Sequence, residues 1–214
     1  MSDEAEPDVN AAYQLQSSAE RRQFYRSWAQ DYDDAFAADR GYLLPNHVAE
    51  IFAGHAEPED APVLDIGAGT GLVGEAVNRH GAWPMDALDL SADMLREAEA
   101  KGVYGRCIEA DLSDPATLPR QRYGALLSAG TFTFGHLGPG ELARILDLAR
   151  PNALHVISIH AEHFHEAGFA AAFEEISPHI DEPIFLPVPI YASEMGDEHD
   201  GAEALIAVFR KARP

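Results

Sequence analysis

The sequence predicts an α/β fold in three layers, a mostly parallel sheet between helices, and three observations carry that expectation. Short apolar runs alternate with amphipathic stretches, an order that at this spacing gives parallel strands joined by crossover helices. The run Val63-Leu64-Asp65-Ile66 passes into a loop with glycines at positions 67, 69 and 71, then into the helical start Leu72-Val73. At 214 residues, without internal repeats or an interdomain linker, the chain is long enough for one such core.

The elements follow in order. Residues 1–10, rich in acids, are expected as a disordered tail. Ser18 to about Phe36 reads as a helix with Phe24, Tyr25, Trp28 and Tyr32 at helical spacing, and Leu44 to Phe52 as a second with Pro45 near its start. The core then reads Val63 to Ile66 strand, Leu72 to Arg79 helix, Met85 to Leu88 strand, Ala92 to Ala100 helix and Val103 to Ile108 strand. It continues with Ala125 to Ser128 as strand, Pro139 to Leu148 as helix, Leu154 to Ile159 as strand and Phe164 to Phe173 as helix. Ile184 to Tyr191 and Ala204 to Phe209 lie close enough to form a closing hairpin, joined by the acidic piece Glu194 to Asp200.

The glycine loop points to a cofactor lying against bare backbone, because residues without a Cβ leave room for it and accept positive φ. Gly69-Thr70-Gly71-Leu72-Val73-Gly74 also fits the dinucleotide pattern G-x-G-x-x-G, so the glycines alone do not choose a cofactor. Asp65 tilts the choice, since a strand-end carboxylate suits a cationic amino group better than a pyrophosphate. Asp89, closing the second strand, can accept both ribose hydroxyls, and Ser91 can cap the next helix. After the third strand, Ala110-Asp111-Leu112 sets a carboxylate beside a backbone N–H, the donor and acceptor pair of an adenine edge.

With these residues in view, the chain resembles the class I S-adenosylmethionine-dependent methyltransferases of small-molecule type. The resemblance rests on Asp65-Ile66-Gly67-Ala68-Gly69-Thr70-Gly71, on Asp89 with Ser91, Met94 and Leu95, and on Ala110-Asp111-Leu112. Before them, Trp28-Ala29-Gln30-Asp31-Tyr32-Asp33 is similar to the W-A-x-x-Y-D segment of small-molecule members. It implies a Rossmann-like sheet with a reversed final strand, and one methyltransferase domain over residues 11–214 with N-terminal lid helices. The implied cofactor is S-adenosylmethionine, held by Asp65, Gly67, Ala68, Gly69, Gly71, Asp89, Leu90, Met94, Asp111, Leu112 and Ser128. The implied reaction is in-line transfer of a methyl group to a small-molecule acceptor, neutral or cationic. A cofactor-binding sensor or scaffold without turnover is the alternative. A nicotinamide oxidoreductase fits less well, because Lys101 and Lys211, the only lysines, are preceded four residues earlier by Glu97 and Ala207 rather than tyrosine.

If the strands are parallel, their carboxyl ends share one edge, and the acceptor pocket draws on Ala129 to Leu137 and Ala161 to His165, under the aromatic helix as lid. His136 is the candidate general base, with an ordinary pKa suited to neutral pH; its structural alternative is a packed loop histidine. Tyr25, Trp28 and Tyr32 are candidates for cofactor contact, against the alternative of a helix's apolar stripe. His155, His160, His163 and His165 lack the one-face spacing of a metal helix, and no metal is expected.

Composition narrows the partners. With 36 acids against 15 basic residues the net charge is -21, which argues against nucleic-acid and anionic-membrane partners. No apolar run approaches the ~20 residues of a membrane helix, and the acidic start does not resemble a signal peptide. Cys107 is the single cysteine, so an intrachain disulfide is excluded and a cytoplasmic setting is expected.

Overall fold

The computed structural model describes residues 9–29, 32, 33, 37, 41–112, 118, 120–192 and 201–213. Three helices come first: α1 (Val9–Tyr13), α2 (Ser18–Trp28) and α3 (Leu44–His55). The core follows as β1 (Val63–Ile66), α4 (Leu72–His80), β2 (Met85–Asp89), α5 (Ala92–Ala100), β3 (Arg106–Glu109) and β4 (Tyr123–Phe132). It ends with α6 (Leu142–Leu148), β5 (Ala149–His160), α7 (Ala161–Glu166), α8 (Phe169–Ile176), β6 (Ile184–Pro189) and β7 (Glu203–Arg210).

The seven strands form one sheet in the order β3-β2-β1-β4-β5-β7-β6. Every pair from β3 to β5 is parallel, while β7 runs antiparallel to both β5 and β6. The sheet is therefore mostly parallel with a reversed final strand. Chain order reverses between β1 and β4, and at such a switch point the loops leaving the strand ends diverge to opposite sides and leave a crevice. Val63, Ala125, Leu127, Val156 and Ile206 face α3 and α4; Leu64, Ile66, Leu126, Ile157 and Phe209 face α6 and α8.

Several boundaries differ from the sequence reading, each for a local reason. α1 begins at Val9, within the stretch expected as a tail; residues 1–8 lie outside the described residues, as does the acidic piece Glu194 to Asp200. The α-helical part of α2 stops at Trp28, and among the described residues beyond it Tyr32, Asp33 and Ala37 are in π-helical turns. β4 continues to Phe132 through an irregularity in its pairing with β5, where Gly130 takes φ 73°. The single helix expected over Phe164 to Phe173 is two, separated at Gly168, whose φ of 90° a helix cannot contain. Among the described residues no helix is long and apolar enough to cross a membrane.

At the opposite end of the sheet Arg210 grips Asp60 with both guanidinium arms, at 2.8 and 3.0 Å, and Asp60 is buried. Removing the cation leaves that carboxylate desolvated without its counter-charge. Arg210→Ala is expected to lower unfolding free energy by about 3 kcal/mol in urea titration; a loss within experimental error would show that the pair contributes nothing net.

Candidate active site

The loops leaving β1, β2, β3 and β4 enclose one cavity of about 1000 Å³ including its mouth. Asp89, at the end of β2, organises its floor. One carboxylate oxygen accepts the Gly69 N–H at 2.9 Å and the other the Ser91 N–H at 2.8 Å. Burial raises its pKa above the ordinary carboxylate value, opposed by the N–H groups of Ser91, Gly69 and Leu90. Ser91 in turn caps α5 through the Met94 N–H. A Cβ at Gly69 would enter open space with nothing within 4 Å, whereas one at Gly67 would collide with Thr131. Gly69 thus leaves bare backbone to the cavity, and Gly67 lets the β4 loop close against the turn.

Gly67, Ala68, Gly69, Asp89, Leu90, Met94, Asp111, Leu112, Tyr25, Tyr32 and His136, all singled out from sequence, line this cavity. Asp65, Gly71, Ser128 and Trp28 do not. Asp65 is fully buried beneath the loop, where one carboxylate oxygen accepts the Tyr104 hydroxyl at 2.6 Å. Its other oxygen has no hydrogen-bond partner among the described residues. Burial pushes the Asp65 pKa up to about 7, against the Tyr104 hydrogen bond and with the Asp89 charge adding. Tyr104 also accepts the Gly74 N–H at 3.0 Å, and its ring occupies the space that a Cβ at Gly71 or Gly74 would need. The later glycines of the motif therefore serve a tyrosine. Ser128 is fully buried, its hydroxyl donating to the Ile66 carbonyl at 2.9 Å, and Ala129 is the neighbour that reaches the cavity.

The helix α2 closes the cavity from above. Ser17 and Glu20 form a reciprocal capping box at its start. Ser18 donates to Asp111 at 2.6 Å, and Arg21 donates to Ser18 at 3.0 Å and to the carbonyls of Gly135 and His136 at 3.2 and 2.9 Å. Beyond the helix, Asp33 accepts the Thr70 hydroxyl at 2.5 Å and the Lys101 ammonium at 2.6 Å. Sequence reasoning missed Ser18, Arg21 and Tyr104. A signal existed for the first two, since Ser18, Arg21 and Tyr25 follow at i, i+3 and i+7 on one helix face. Tyr104 carried none, because its partners are 30 or more residues away in sequence.

Tyr25 and His136 meet at the far wall. His136 Nδ1 lies 2.9 Å from the Phe134 carbonyl, which can only accept, so the network assigns the ring proton to Nδ1. Nε2 is then the acceptor, and the Tyr25 hydroxyl donates to it at 2.6 Å. Burial lowers the His136 pKa to about 4, with the charge on Arg21 adding, and raises that of Tyr25. The pair is neutral at neutral pH. Tyr25, Tyr32, Tyr42, Gly130 and His136 also border a smaller second chamber, about 530 Å³ with the open solvent at its mouth included, which Trp28 lines.

The other histidines disperse. His155 is fully buried against Phe209, ring centroids 4.5 Å apart, and burial lowers its pKa to about 3. His160 lines the second chamber, and His163 bonds the Leu137 carbonyl at 3.2 Å. Cys107 is partly buried in β3, its pKa raised by burial.

A parallel sheet with this strand order, a glycine loop after β1 and acids ending β2 and following β3 define a class I methyltransferase fold. Residues 63–152 match the profile of the family described as "Methyltransferase domain". The chain thus has the class I methyltransferase fold, and its residues 63–152 match a methyltransferase domain. A curated relative is Methyltransferase-like protein 27 of Homo sapiens, 30% identical over 149 residues that are 68% of this chain and 60% of the relative's length. Among solved structures, a TehB-like SAM-dependent methyltransferase from Corynebacterium glutamicum superposes with TM-score 0.62 at 21% identity, covering 88% of this chain and 98% of that one. The 1,6-didemethyltoxoflavin-N1-methyltransferase of Burkholderia thailandensis, solved with 1,6-didemethyltoxoflavin and S-adenosylhomocysteine bound, gives 0.61 at 20% identity over 100% of this chain and 93% of that one.

The raised Asp65 pKa has a stability consequence. Between the unfolded carboxylate value near 3.8 and the folded value of about 7 the native state holds the extra proton, so this stabilisation is present below the lower value and lost as pH rises through the upper. Asp65→Asn removes that dependence. The variant is expected to gain thermal stability relative to wild type between pH 5 and pH 8; a difference in Tm that stays constant across that range would contradict it.

Proposed function

We propose that the protein transfers a methyl group from S-adenosylmethionine to a small-molecule acceptor by in-line displacement. The observation that carries this reading is the pairing of two neighbouring spaces: the cavity bounded by Asp89, Asp111 and Gly69 shares Tyr25, Tyr32, Tyr42, Gly130 and His136 with a second chamber beside it. The residues present suit the cofactor. Each Asp89 oxygen keeps a lone pair beyond its backbone bond, enough to accept the two ribose hydroxyls. Asp111, held by Ser18, and the Leu112 N–H offer an acceptor and a donor to the adenine edge. The bare backbone at Gly69 and Ala129 borders the remaining length of the cavity, for the methionine portion.

When bound, S-adenosylmethionine supplies an electrophilic methyl on a sulfonium that is already its own leaving group. The chain's task is alignment and exclusion of water, which α2 and its tethers provide. Tyr25 has its proton on His136, leaving its oxygen lone pairs to receive a hydrogen bond from an acceptor at the junction. With its pKa lowered to about 4 by burial, His136 is a poor base at neutral pH, contrary to the sequence reading, and its part here is to orient the Tyr25 hydroxyl toward the acceptor. The net charge of -21 and the single cysteine support a cytoplasmic enzyme without nucleic-acid or membrane partners.

The test is calorimetric titration with S-adenosylmethionine and S-adenosylhomocysteine, repeated on Asp89→Ala. Saturable binding of both is expected, weakened at least about tenfold by the substitution, since the ribose hydroxyls lose a buried charged acceptor. Absence of binding in the folded wild type would refute methyl transfer.

A further inference from the structure

The start of α4 lacks a cap of its own. Gly71 precedes the helix with φ 92°, a conformation that favours a residue without a Cβ, and it brings no side chain to the first turn. The N–H groups of that turn, on Leu72, Val73 and Gly74, have no partner within the helix. An N-cap oxygen ordinarily accepts from the second or third of them. Here the oxygen comes from the loop before β3, where the Tyr104 hydroxyl accepts the Gly74 N–H at 3.0 Å.

The same hydroxyl donates its proton to Asp65 at 2.6 Å. Asp65 belongs to β1, which enters the glycine turn, and Gly74 to α4, which leaves it, so one phenol spans the turn from beneath. The ring fills the gap between them, since a Cβ at Gly71 or Gly74 would collide with it. Ala68, Ala87 and Leu95 form a small apolar cluster against the ring, and Ala68 also lines the cavity. Tyr104 is itself fixed to the sheet, because the next residue, Gly105, donates to the Met85 carbonyl at 2.7 Å. Packing alone would require only the ring. The hydroxyl adds a donor and an acceptor that are both engaged, on opposite sides of the turn.

We propose that Tyr104 is a positioning residue that acts on the cofactor through the turn: its hydroxyl holds the end of β1 and the start of α4 at a fixed separation, and so sets the backbone from Gly67 to Gly71 on which the cofactor rests. The effect on the cofactor rests on the function proposed above; the hold on the turn does not. Asp65 is then the far end of this brace, and what it must supply is an oxygen that accepts rather than a charge.

Tyr104→Phe keeps the ring and removes the hydroxyl. Asp65→Asn keeps an oxygen that accepts from Tyr104 and removes the charge. Both variants of the full chain are titrated calorimetrically with S-adenosylhomocysteine, unfolded in urea and followed by amide hydrogen exchange. Tyr104→Phe is expected to stay folded, to bind about fivefold more weakly or worse, and to exchange faster at residues 67–74 without a matching change in the sheet. Asp65→Asn is expected to keep wild-type affinity within about twofold, because the phenol retains its acceptor. Unchanged affinity and turn exchange in Tyr104→Phe, with only the unfolding free energy lowered, would reduce the tyrosine to packing and overturn the proposal. A loss in Asp65→Asn as large as that in Tyr104→Phe would assign the carboxylate's charge to the ligand and overturn it as well. Failure of the wild type to bind S-adenosylhomocysteine is read separately: it removes the cofactor reading, and turn exchange in Tyr104→Phe then decides alone whether the hydroxyl holds the turn.

Discussion

Asp89 holds the Gly69 N–H on one carboxylate oxygen and the Ser91 N–H on the other, and the geometry of the site depends on that clamp. Backbone bonds between the two loops go no further than Gly67 and Ala68, whose N–H groups both reach the Leu88 carbonyl, so beyond them the separation must be set by something else. A buried carboxylate can set it, because each charged hydrogen bond is stronger than a neutral one and both donors would otherwise be orphaned. Burial works against the charge and the N–H groups restore it. The same side chain thus fixes the mouth of the β1 turn and the cap of α5, and in the function proposed it also accepts the ribose hydroxyls.

The lid is a second structure built on the first. α2 is tied by Ser18 to Asp111, by Arg21 to the loop after β4, and, through Asp33, to Thr70 and Lys101. Its apolar contacts form a cluster around Trp28 that is separate from the two sheet cores. An element held mainly by polar tethers and a satellite cluster opens at lower cost than a core helix. The Arg26–Asp93 pair on its outer side, with Arg26 72% exposed, adds little to that hold.

The sheet was legible in the sequence because its signals are local. Short apolar runs mark β1, β2 and the centres of β4 and β5, and acids closing successive strands mark Asp89 and Asp111. What was not legible depends on residues distant in sequence. Asp65 reads as a partner for an ammonium group with no local sign that one of its oxygens accepts from Tyr104, and Gly74 reads as part of a cofactor motif until the same tyrosine occupies the space above it. His136 and His155 look alike as isolated histidines in apolar surroundings, yet one faces Tyr25 at a cavity and the other stacks on Phe209 in the core. Helical pattern past Trp28 was legible, since Tyr32, Asp33 and Ala37 are in π-helical turns, but the tether of Asp33 to Thr70 and Lys101 leaves no trace in local pattern.

A crystal structure with S-adenosylhomocysteine tests the central assignment most directly, since it reads the orientation of the cofactor in the cavity. The expected result is adenine against Asp111 and Leu112, both ribose hydroxyls on Asp89, and the sulfur directed at the junction formed by Gly130, Tyr25 and His136. The nucleoside bound in reverse, with its sulfur beside Asp111, or bound away from Asp89 altogether, would contradict it.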